Sequence, residues 1–112
     1  MIPPLVPLRI PAGWKISFNQ FTESNPELFI DDEYIYRWEF NEDIFQFENS
    51  YRKRILDLSW RPEFNPNGEY ILVLLDADFP DWSQPLSEFR TKEIKKIIEK
   101  TEQWLAEVSK GG

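Results

Sequence analysis

The stretch W60-R61-P62-E63-F64-N65-P66-N67-G68-E69-Y70-I71-L72-V73-L74-L75-D76-A77-D78-F79 decides the fold, because it reads as a strand, a turn and a second strand. Upstream of it, "RKRILDLSWRPEF" alternates Leu56, Leu58 and Trp60 against Ile55, Asp57 and Ser59, which predicts a strand with Asp57 on its wetter face. "NPNG" at 65–68 predicts a tight turn: Pro66 presets its own φ, and Asn67 and Gly68 tolerate positive φ. The strand that follows is apolar on both faces from Tyr70 to Leu75, as expected of a central strand covered by a helix on one side.

Outward from this hairpin, "WKISFNQF" predicts a first strand with Trp14, Ile16 and Phe18 on one face, and "DIFQFENS" predicts another. "LSEFR" predicts a short last strand. Thr91 is placed to cap a C-terminal helix over 91–109, whose apolar stripe is Ile94, Ile97, Ile98, Trp104, Leu105 and Val108, with Thr101 in the gap. Pro3, Pro4, Pro7 and Pro11 make residues 1–13 an extended arm whose Ile2, Leu5, Val6, Leu8 and Ile10 can lie along a core edge. Periodicity leaves residues 23–42 open between short helix and strand. The expected architecture is a single α+β domain over 1–112, an antiparallel sheet of four to five strands with the amphipathic helix packed on it.

Composition bounds the chemistry. The chain has 112 residues, 16% of them aromatic and including five Trp, which is enough apolar mass for a packed core. With no Cys and no His it lacks disulfides, thiolate or imidazole metal ligands and the usual general base. The start lacks the basic head and unbroken apolar run of a signal peptide, and no stretch approaches the length of a membrane span. A soluble cytoplasmic protein is therefore expected.

The net charge of −7 is uneven: residues 23–48 hold nine acids and one base, giving −8, whereas 91–112 hold four acids and five lysines, giving +1. Such a field disfavours nucleic acid and favours a basic protein partner. The segment "DDEYIYRWEFNEDIFQFEN" interleaves carboxylates with aromatic and aliphatic groups, a mixture suited to a folded binding surface.

Asp76, Asp78 and Asp81 form a second group. A D-x-D pair on one strand face sits about 7 Å apart and can serve a hard cation, with Asp81 or Asp57 as further ligands, which defines a metal-dependent enzyme as one alternative. The plain reading is a strand end whose aspartates cap local N–H groups. Exposed Trp and Tyr also admit a carbohydrate- or small-ligand-binding module.

"IPAGWKISFNQF" (10–21), the 60–79 hairpin and "EFRTKEIKKIIEKTEQWL" (88–105) together resemble the small acidic immunity proteins of bacterial polymorphic-toxin and contact-dependent growth inhibition systems. The resemblance implies a non-enzymatic cytoplasmic protein, without cofactor, that neutralises a cognate toxin domain, often a nuclease with a basic groove. Those proteins are diverse in fold, so no residue role carries over by motif. Charge and exposure instead nominate Glu33, Glu39, Glu42, Asp43, Glu48, Asp76, Asp78 and Asp81 as the negative surface, and Tyr34, Trp38 and Trp82 as anchors.

Overall fold

A computed structural model describes residues 3–111. Its elements are β1 (Trp14–Asn19), β2 (Phe45–Asn49), β3 (Arg54–Arg61), β4 (Glu69–Asp76), β5 (Ser87–Thr91) and α1 (Ile94–Ser109). The five strands lie in sequence order, every neighbouring pair antiparallel, so the sheet is a meander with α1 added at the end. This is the expected α+β architecture.

The alternation on β3 sorts the two faces. Leu56, Leu58 and Trp60 are almost wholly buried and join Phe45, Phe47, Tyr70, Leu72 and the helix residues Ile97 and Leu105 in one cluster. Each such side chain contributes roughly 1.5–3 kcal/mol by leaving water. Ile94, Ile98 and Trp104 flank the stripe, as their spacing predicts. Trp14 Nε1 donates to Leu105 O at 3.2 Å and to Ser109 Oγ at 3.1 Å, tying the first strand to the last turn of α1. The proline arm adds an edge: Val6 N–H donates to Phe21 O and Glu23 N–H to Pro4 O, both at 2.8 Å, and Val6, Leu8 and Ile10 pack on the core. Ile2 lies outside the described residues.

Several sequence expectations need correction. A bulge at Ser17 shifts the β1–β2 register between Ile16 and Phe18. Ile16 pairs with core-facing Phe47 while Phe18 pairs with Gln46, so Phe18 is on the opposite face from Trp14 and Ile16. β3 ends at Arg61, not near Phe64, and the connection is a longer loop over 62–68 in which the positive φ falls on Phe64. β4 ends at Asp76, leaving Asp78 off the strand. Thr91 closes β5, and the helix begins after Glu93, whose N–H Thr91 Oγ1 accepts at 3.1 Å. Residues 23–42 form neither a strand nor an α-helix but two 3-10 turns, Pro26–Leu28 and Arg37–Glu39.

The second face of the sheet is also drier than expected. Asp57 is buried, 8% exposed, and so is Ser59; their neighbours across the ladder are Val73 and Ile71, which cluster with Leu75 and Ile55. No helix among the described residues is long and apolar enough to cross a membrane.

Thr101 occupies the gap in the helical stripe fully buried, and its Oγ1 has no hydrogen-bond partner among the described residues. An unmatched buried hydroxyl forfeits its hydration without return. Thr101→Val is expected to raise stability by about 1 kcal/mol, read from the midpoint of urea unfolding; an unchanged or lower midpoint would show that the hydroxyl finds a partner in solution.

Candidate functional site

The acidic segment is assembled by buried aromatics and short-range caps. Asn25 Oδ1 accepts Glu27 N–H at 3.0 Å to start the first 3-10 turn, with Pro26 at its first position. Asp31 Oδ1 accepts Glu33 N–H at 2.9 Å, and Asn41 Oδ1 accepts Asp43 N–H at 2.8 Å, so side chains take over the role of a regular ladder. Phe29 and Phe40 turn inward, stacked at 5.0 Å, and Phe40 meets Trp60 of β3 at 4.7 Å. With these rings pinned on the core, the acids between them face outward.

The lobe is fastened to the β3–β4 loop. Trp60 N–H donates to Asn41 O and Phe64 N–H to Phe40 O, both at 2.8 Å; Glu42 N–H donates to Glu63 Oε2 at 3.0 Å, and Arg61 pairs with Glu42 at 3.3 Å. Glu33, Glu39, Glu42 and Asp43 therefore share one end of the sheet. Asp31, Asp32 and Glu63, with Ile30, Phe64, Asn65 and Pro66, line a groove of about 450 Å³ at the same end. Ile30, Ile35 and Trp38 are each more than half exposed beside these carboxylates. Trp38 is held edge-on to Phe64 at 4.9 Å with the Arg37 guanidinium 4.5 Å over its ring. Tyr34 is half-buried against Phe29 and Tyr36, and burial raises its phenol above the ordinary value, so it props the lobe and contributes little contact surface.

Asp76, Asp78, Asp81 and Trp82 lie at the other end. β3 runs eight residues between the two groups, about 23 Å at the usual strand rise. There the aspartates serve the backbone: Asp76 Oδ1 accepts Asp78 N–H at 2.9 Å, and Asp81 Oδ1 accepts Ser83 N–H at 3.0 Å and Ser83 Oγ–H at 2.6 Å. The Ser83 hydroxyl and amide hold the Asp81 carboxyl below its ordinary range. Asp78 pairs with Lys53 at 3.1 Å, and Lys53 is flanked in the chain by Arg52 and by Arg54 at the start of β3, so this end is not acidic. Asp57 sits opposite Val73, three ladder positions from Asp76 and on the other face. Among the described residues no group of three or more acids converges as a metal site would require. Glu48 stands apart again, on β2 between Lys15 and Ile55.

Eleven nominated residues thus fall into a lobe, an opposite loop and one strand position. The lobe members that charge and exposure did not single out are Ile30, Asp31, Asp32, Ile35 and Glu63. The first four stand in the acid-aromatic stretch and its margin, where their alternation was visible. Glu63 is distant in sequence and needed the loop geometry. No family model, curated protein or solved structure matches this chain.

Proposed function

We propose that this protein is a binding inhibitor of a basic partner domain, in the manner of a toxin-immunity protein, and that the lobe of residues 30–43 with Glu63 is its contact surface. The observation that carries the reading is unspent charge. Of Asp31, Asp32, Glu33, Glu39, Glu42, Asp43 and Glu63, only Glu42 meets a cation among the described residues. Clustered carboxylates without partners repel one another, and a cationic groove relieves that repulsion while they steer its approach. Ile30, Ile35 and Trp38 supply apolar contact in the same patch. The caps and ring stack hold the patch in shape before binding, which lowers the ordering cost of association.

A nuclease domain is the partner class that best suits this surface, because a groove built for phosphate is basic. A cytoplasmic site of action and a genetically linked toxin follow from the same reading. The test uses the proposed cognate toxin domain, to be sought at the C-terminus of the product of the adjacent upstream gene. Reversing Glu39, Glu42 and Asp43 to Lys is expected to slow association by about tenfold to a hundredfold at low salt, the difference shrinking as salt rises. Stopped-flow mixing reads both quantities.

A further inference from the structure

The sheet has two edges, and they differ. The outer edge of β1 is interrupted by the Ser17 bulge and presents Lys15, two devices that discourage strand pairing. β5 pairs with β4 in unbroken register, contains no Pro, and nothing else among the described residues bonds to its outer side.

The ladder fixes which groups that edge offers. Ala77 N–H donates to Lys53 O at 2.9 Å and Leu86 N–H to Leu74 O at 2.8 Å. Alternation along an antiparallel strand then directs Tyr70, Leu72 and Leu74 toward β5, and their partners Thr91, Phe89 and Ser87 back toward β4. Glu88 and Arg90 are left with N–H and C=O pointing outward. Their side chains share one face, opposite Val73 and Ile71, with Arg90 Nε donating to Glu88 Oε2 at 3.0 Å.

We propose that this chain forms a two-fold dimer by antiparallel pairing of its β5 edges, centred on Phe89. In that register Glu88 lies opposite Arg90 of the partner subunit, and Arg90 opposite the partner subunit's Glu88. All outward N–H and C=O groups of these residues are then paired, in four backbone hydrogen bonds, and opposite charges meet on the same face. Pairing Glu88 or Arg90 with its own copy would set like charges together, so backbone and charge select the same register. The result is one continuous sheet of twice five strands with a self-complementary seam. Lys100 Nζ lies 5.0 Å from the Phe89 ring, so α1 brings one cation toward the seam from the other face.

Sedimentation equilibrium on the full chain, carried to millimolar concentration, is expected to show a monomer–dimer equilibrium. Glu88→Arg and Arg90→Glu each make the pair single-signed and are expected to weaken dimerisation by about tenfold or more alone. Mixed in equal amounts the two variants restore opposite charges across the seam and associate again, and circular dichroism confirms that each is folded. A wild-type chain that stays monomeric throughout overturns the proposal. So does dimerisation that both variants leave intact, or a mixture that fails to associate.

Discussion

Replacing Asp57 by Asn is expected to stabilise the protein at neutral pH by about 2–3 kcal/mol, an effect that shrinks to about 0.5 kcal/mol by pH 4. Burial on the second sheet face raises this carboxyl from 3.8 to about 6; the Gln46 amide donates to it and pulls the other way, Asp43 adds to the rise, and Arg61 opposes it. The folded state therefore holds the proton more tightly than the unfolded chain. Between about pH 4 and pH 6 the folded form binds more protons, so stability contributed by this group falls as pH rises, and above pH 6 the full penalty is present. The shift corresponds to roughly 3 kcal/mol at 1.36 kcal/mol per unit. Asn keeps an acceptor for Gln46 Nε2 and never ionises. Urea unfolding at pH 4.5 and pH 7.5 should show a gain about threefold larger at the higher pH. An equal effect at both would mean that Asp57 is hydrated in solution.

Gly68→Ala is expected to cost about 2–4 kcal/mol, through contact and not through φ. A Cβ at Gly68 would overlap the Trp60 indole nitrogen and stand 2.9 Å from Arg61 O and 3.0 Å from Pro62 O. That indole N–H donates to Asn65 O at 2.8 Å, and its ring is a fully buried contact of Phe40 and Tyr70. The loop cannot yield without loosening the ring on which the acidic lobe is mounted. The variant should accordingly unfold at lower urea and show greater exposure of Trp fluorescence. An unchanged midpoint would show that the 62–68 loop adjusts freely.

The frame of the molecule was legible because its signals are local. Period-two alternation marked β3, unbroken apolar residues marked β4, and the stripe from Ile94 to Val108 marked α1, each within one element. What stayed hidden depends on relations between elements. The bulge at Ser17 is a property of the β1–β2 pair, and no residue type there announces it. Asp57 looked wet because alternation alone says which face a residue shares, not how deeply its neighbours bury that face. Gly68 was marked by its residue type for positive φ, whereas its need is for space beside Trp60.

The nominated surface divided for the same reason. In a meander, consecutive loops alternate between the two ends of the sheet, so Glu42 and Asp43, before β2, and Asp76 to Trp82, after β4, sit at opposite ends. Charge counted along the chain merged them. The contribution of Glu63 to the lobe became visible only with the 62–68 loop in place beside Glu42.

The division supplies the sharpest test. The association rate constant with the proposed toxin domain should be measured for two variants of equal charge change, one reversing Glu39, Glu42 and Asp43 to Lys, the other reversing Asp76, Asp78 and Asp81. Both shift the overall charge equally, so long-range attraction alone predicts equal slowing. With the lobe as the contact surface, the first is expected to slow association by about tenfold more than the second at low salt, with the gap closing as salt rises. Equal slowing by the two variants, or greater slowing by the second, would contradict it.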